Sequence, residues 1–262
     1  MLILIISYFP KEIIMKKLLI IILCTVFLCS CESSMAKEKP YTLATDQYAV
    51  YDFIKTVFEG VTVTFTTDPL SESAKNADLF ICIYSSVPQD NIYEIKKDVA
   101  DANETMWISP EKAINAFYGI YGKIVSQNPG FADKYTEKYE NYVIALQNLN
   151  TRYKNAVNDK PVLIANECNV SVLEKDYGFK TKVLKEKTGT VMDFVTTMKS
   201  KNISAVYYIR DMDTEPAEVT AKMTNSYCLP LDLCIVKDAN AVKKCNKYPR
   251  ILEYNIKNLE MR

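Results

Sequence analysis

Histidine is absent from this 262-residue sequence, and no other gap removes as much chemistry. Without an imidazole, neither a Ser-His-Asp nor a Cys-His catalytic set can be assembled. Glycine is almost as scarce: there are 6, and none forms a phosphate-cradling loop. No CxxC pair, low-complexity stretch or solenoid repeat occurs. Net charge is lacking too, since 32 basic side chains meet 32 acidic ones. The lysines alternate with acids along predicted helices, so no basic stripe recommends a nucleic acid. An enzyme is therefore the weakest of the function classes, and binding the strongest.

What is present is globular: 48% hydrophobic and 24% charged residues, with length for two modest lobes. At the N-terminus, Met15-Lys16-Lys17 supplies a positive region and Leu18 to Leu28 an apolar run of signal-peptide length, short for a spanning helix. The run ends in Leu28-Cys29-Ser30-Cys31, which resembles a bacterial lipobox with Cys31 as the lipidated residue. Residues 1–30 then read as a signal peptide and 31–40 as a tether to the outer face of a bacterial cell membrane. An uncleaved anchor is the competing reading. Met1 and Met15 both remain open as starts. Cleavage would remove three Lys and one Glu, leaving 29 positive and 31 negative side chains.

Beyond Cys31 five cysteines remain, a poor disulfide framework. Cys82 and Cys228 lie in apolar surroundings and read as small core residues. Cys234 and Cys245 could pair in an oxidising compartment, which sequence alone leaves open.

Residues 129–158 organise the rest. Phe131, Tyr135, Tyr139, Tyr142, Val143, Leu146, Leu149, Tyr153 and Val157 recur in steps of three or four, the stripe of a long amphipathic helix. Asn128 is placed to cap it, with Pro129 in its first turn. At 1.5 Å per residue the helix runs roughly 40 Å, long enough to serve two bodies as a strut. Before it, residues 41–128 alternate strand and helix: strands at Tyr41–Thr45, Val61–Thr66 and Asp78–Tyr84, helices at Asp46–Glu59, Ser71–Asn76, Asp90–Ala100 and from Ser109 to Ser126. After it, residues 159–262 repeat the pattern, with strands at Val162–Ala165, Thr181–Leu184, Ala205–Ile209 and Cys228–Asp232 and a last helix over Tyr248–Leu259. The fold expected is α/β: two lobes, each a mainly parallel sheet flanked by helices, joined by one long backbone helix.

In parallel sheets, ligands bind beyond the carboxyl ends of the strands. The polar residues there are Glu167 and Cys168, Arg210, Asp211 and Asp213, and Asp232, with Glu104 and Thr105 ahead of Trp107. Loop carboxylates are mostly solvated, so position alone does not make these a site.

From about Tyr41 to Leu259 the chain resembles the zinc/manganese-type metal-binding lipoproteins of ABC transporters, the cluster A-I substrate-binding proteins. Met106-Trp107-Ile108-Ser109-Pro110 resembles that family's HxWLSP stretch. Asn166 to Phe179, ending Asp176-Tyr177-Gly178-Phe179, resembles the segment of the third metal ligand, and Leu229-Pro230-Leu231-Asp232 the strand ending in the fourth. The resemblance puts the second ligand position on Thr105, the third on Glu167 and the fourth on Asp232, while the loop that carries the first is missing after Thr67. It implies Glu167 and Asp232, with Glu104 nearby, as an oxygen-rich site for Mn²⁺, Ca²⁺ or iron more than for Zn²⁺. Cys168 beside Glu167 would soften it. The expected protein is a monomeric, lipid-anchored solute-binding protein that hands a divalent cation to a membrane permease. A relative that has lost its metal and serves as a surface interaction lipoprotein is the alternative.

Overall fold

The computed structural model describes residues 40–87, 89–184, 190–236, 239–242 and 244–261. The expected signal peptide, the anchor at Cys31 and most of the tether lie outside the described residues. Tyr41–Arg262 forms one unit. Among the described residues, no helix is long and apolar enough to cross a membrane.

The first lobe begins with β1 (Thr42–Thr45), α1 (Tyr48–Val57), β2 (Thr62–Phe65), α2 (Glu72–Lys75), β3 (Leu79–Cys82) and β4 (Ile92–Glu94). Its sheet is parallel throughout, in the order β2-β1-β3-β4. Single-turn helices at Ile95–Lys97 and Met106–Ile108 lead to α3 (Pro110–Gln127) and then to the strut, α4 (Gly130–Asn155). The second lobe follows as β5 (Val162–Ile164), α5 (Ser171–Tyr177), β6 (Thr181–Val183), α6 (Val191–Lys201), β7 (Ala205–Ile209), α7 (Glu215–Thr224), β8 (Tyr227–Leu231), α8 (Ala239–Val242) and α9 (Tyr248–Leu259). It repeats the topology in the order β6-β5-β7-β8, again parallel. The expected two-lobe α/β architecture is what forms.

β3 is buried along its whole length, as the run Leu79-Phe80-Ile81-Cys82 requires of a strand covered on both faces. α4 buries Tyr135, Tyr142, Leu146, Leu149 and Tyr153 and keeps Phe131 and Tyr139 half-buried against the same core, while Val157, expected on the stripe, packs there from two residues past the helix end. That core is continuous: Leu43 and Ile81 of the first lobe, Leu146 of the strut and Ile164 and Tyr207 of the second belong to one apolar cluster.

Two local expectations are corrected. The stretch expected as a helix from Asp90 to Ala100 is strand β4 followed by one turn of 3-10 helix. Ile92, Ile95 and Val99 have helical spacing, but the open edge of β3 offers backbone partners to this segment, with Phe80 beside Ile92 and Cys82 beside Glu94. Nor does Asn128 cap the strut. Its N–H closes α3 onto Ile124 and Val125, and Pro129 opens α4 with no side-chain cap. A residue before proline is driven from the helical region, and Asn128 sits at φ −138°, ψ 78°.

The last helix does more than close the second lobe. The Tyr248 backbone N–H donates to Asp52 of α1 at 3.0 Å, and its hydroxyl donates to the Trp107 carbonyl at 2.6 Å. At the other end, the Tyr207 hydroxyl of β7 donates to the Asn258 carbonyl at 3.0 Å. α9 is thus a second bridge beside the strut. A third link joins two of the motifs singled out in the sequence: the Ser109 hydroxyl donates to Asp176 at 2.7 Å, and Lys112 stands 3.7 Å from the same carboxylate. Tyr177 continues it, donating to Asn150 of the strut at 2.8 Å.

Candidate functional site

Both sheets reverse direction of growth at their middle, between β1 and β3 and between β5 and β7, which opens a crevice at the carboxyl ends of those strands. In the first lobe the residue directly past β1 is Asp46. Gln47 holds it, donating to the Asp46 carboxylate at 2.9 Å while accepting the Trp107 indole N–H at 2.8 Å. Burial pushes the Asp46 carboxyl up to about 6, and the nearby Glu104 charge adds to the rise against the Gln47 and backbone hydrogen bonds. Asp46, Glu104 and Thr67 line a cavity of about 320 Å³ whose opposite wall is Cys234, Ile235 and Val236 of the second lobe. This cavity lies between the lobes.

Asp232 is reached from the other side. It follows β8 directly, and its backbone N–H donates to the Asn255 side chain of α9 at 2.9 Å, while its carbonyl accepts from Asn255 at 2.7 Å. One carboxylate oxygen accepts the Cys234 N–H at 2.8 Å, an Asx turn that accommodates Cys234 at φ 60°. The other stands 3.1 Å from Nε of Arg210. Burial raises the Asp232 carboxyl more than the Cys234 N–H and the guanidinium lower it. A second cavity, about 270 Å³, is lined by Asp232, Arg210 and Asp211 and shares Tyr48 and the 234–236 segment with the first.

The structure thus brings Glu104 and Asp232 to adjoining cavities around one segment. Glu167 is exposed past β5 and lines neither of them. Cys168 packs against the apolar core, and burial pushes its thiol up to about 11, far from a ready thiolate ligand. Thr105 is buried, with its hydroxyl donating to Asn103 at 2.7 Å. Cys234 and Cys245 are free thiols. Among the described residues, no three of Cys, Asp and Glu are gathered closely enough to hold a metal ion as they stand. Asp46 was missed from sequence because it read as the start of a helix. The signal that finds it is its position, the first residue past the strand where sheet growth reverses.

Residues 42–261 match a family model described as the periplasmic component A of a zinc-uptake complex. The chain belongs to this family. Its members are solute-binding proteins of ABC-type metal uptake rather than enzymes, and their place is periplasmic or otherwise extracytoplasmic. Solved structures share the fold of the zinc-uptake component. The metal-dependent lipoprotein YcdH from Bacillus subtilis is 18% identical, with a TM-score of 0.67 over 85% of this chain and 98% of that one. The Zn(II)-bound ZnuA-like domain of AdcA from Streptococcus pneumoniae is 18% identical, with a TM-score of 0.65 over 85% and 98%. A Cd-bound periplasmic metal-binding protein from candidatus Liberibacter asiaticus is 17% identical, with a TM-score of 0.62 over 84% and 98%. No curated sequence matches the chain.

Proposed function

We propose that this family member is a lipid-anchored carrier of a divalent cation, held by carboxylates between its lobes and passed to a membrane permease. The observation that carries this reading is the acidic crevice itself, in which Asp46 and Glu104 from one lobe and Asp232 from the other border cavities that share the 234–236 segment. Paired carboxylates in a partly buried space stabilise a cation and repel one another without it. The ligand assignment is Asp232 and Glu104, with Glu167 retained from the family resemblance. An all-oxygen set favours Mn²⁺, Ca²⁺ or iron relative to the His-rich sites that suit Zn²⁺. Cys31 is the proposed attachment to the bilayer.

Calorimetric titration of the full chain with Mn²⁺, Ca²⁺, Zn²⁺ and Fe³⁺ tests the cargo. Binding of at least one, lost in Glu104→Gln/Asp232→Asn with the fold intact, is the expected result. A second reading has its own observation: Asp232 is already paired with Arg210. A chain that binds none of the four cations, and whose double variant melts like the parent with and without them, is an interaction lipoprotein instead.

A further inference from the structure

We propose that Arg210 is a built-in placeholder for the cargo cation, occupying Asp232 in the empty protein and setting how weakly the cation is held. The inference rests on the reading of Asp232 as a cargo ligand and says what tunes that ligand.

The pairing is dictated by strand register. β7 and β8 run parallel, with Tyr207 beside Leu229 and Ile209 beside Leu231 as the last pair. The ladder continues one step further, because the Arg210 N–H donates to the Leu231 carbonyl at 2.8 Å. Side chains alternate along a strand, so after two buried residues, Ile209 and Leu231, the next position on each strand turns to the other side. Arg210 and Asp232 therefore leave the sheet edge side by side, as a cross-strand pair of opposite charge.

The two partners are held unequally. The Asp232 carboxylate is fixed: its second oxygen takes the Cys234 N–H, its backbone is clamped on both sides by Asn255, and its side chain is only 21% exposed. The Arg210 side chain is 45% exposed, and the salt bridge to Asp232 is its single ion pair among the described residues. An anion stays in place while a long, solvent-facing cation can swing away. A carboxylate buried to this degree is costly without a counter-charge, so the empty protein is stabilised by the guanidinium. Any divalent ion that ligates Asp232 must displace it. Apparent affinity is then reduced by the placeholder's hold, and its return to the carboxylate opposes rebinding after release. A carrier that must surrender its cargo at a permease gains from such a competitor.

The experiment titrates Mn²⁺ and Zn²⁺ into the full chain, Arg210→Met, Arg210→Lys, Arg210→Met/Asp232→Asn and, as a control for net charge, Lys199→Met on the exposed side of α6. Arg210→Met should bind at least one of the two about tenfold more tightly than the parent, a change of about 1.4 kcal/mol. Arg210→Lys should stay near the parent, Lys199→Met should show no such gain, and the gain should vanish in the double variant. Circular dichroism and melting of each protein without metal establish that the fold is kept. If the parent binds and Arg210→Met binds no more tightly, the placeholder is refuted while the carrier reading stands. If the gain survives in the double variant or appears equally in Lys199→Met, general electrostatics is the cause and the placeholder is again refuted. If neither the parent nor Arg210→Met binds either ion at millimolar metal, the placeholder is refuted, and the carrier reading falls with it when Ca²⁺ and Fe³⁺ fail to bind as well.

Discussion

At the scale of single residues, two carboxylates of the cleft, Asp46 and Asp232, are ionised against the resistance of burial. Asp46 titrates near 6 in the folded chain, against 3.8 for the free group, because burial and Glu104 both disfavour its charge. Between those values the folded state holds a proton that the unfolded chain has released. Its contribution to stability is therefore largest below about pH 4 and is lost as pH rises through 6. Asp46→Asn should stabilise the metal-free protein at pH 7 by about 1 to 2 kcal/mol and flatten the pH dependence of its melting between pH 4 and 6. Denaturant melts across that range check both, and a variant that keeps the parent's slope would show that another group is responsible. Tyr248→Phe addresses a different residue. It leaves the Trp107 carbonyl without its buried partner and should cost about 1 to 3 kcal/mol, read from the same melts.

Whole elements are governed by what they pass over. Helix α3 contains two glycines with opposite needs. A methyl group on Gly122 would meet nothing within 4 Å, whereas one on Gly119 would press on the Tyr93 hydroxyl and lie 2.8 Å from the Asp98 carboxylate. Gly122→Ala should therefore stabilise by about 0.5 to 1 kcal/mol through helix propensity, while Gly119→Ala should destabilise despite the same gain. Equal effects in thermal melts would mean that α3 does not ride so close to β4. In the strut, Leu146 is wholly buried and Asp133 is exposed. Leu146→Asp should cost several kcal/mol for an uncompensated buried charge, and Asp133→Ala little. Chemical denaturation that cannot tell the two apart would place the stripe on the wrong face.

The whole molecule couples its lobes through more than the strut. α4, α9 and the Ser109–Asp176 contact all cross between them, and one apolar cluster runs through both sheets. A unit built this way should unfold as one, so calorimetry of the metal-free chain should give a single transition with matching calorimetric and van't Hoff enthalpies. Two resolved transitions would mean that the shared core is weaker than the lobes it joins. The proposed anchor at Cys31 belongs to the same scale. Radiolabelled palmitate should enter the chain and not Cys31→Ala, and equal labelling of both would remove Cys31 as the attachment point.

The sequence by itself determined the parallel α/β lobes, the strut and the strand-end placement of Asp232. Each is a matter of local periodicity and of which residues follow a strand, and both are printed in the order of the chain. It did not decide what stands across a sheet. The spacing of Ile92, Ile95 and Val99 fits a helix, yet the unfilled edge of β3, some ten residues back, draws this segment into a strand. Arg210 and Asp232 are separated by a whole helix and meet only because β7 and β8 pair in one register. Asp46 and Glu104 share a cavity only once both lobes are in place, and Glu167, three residues past β5, is left outside it. Periodicity reports which side of an element is buried; the partner across the interface is settled by packing between segments distant in the chain. For this protein that packing decides whether its acidic residues face a cation or an arginine.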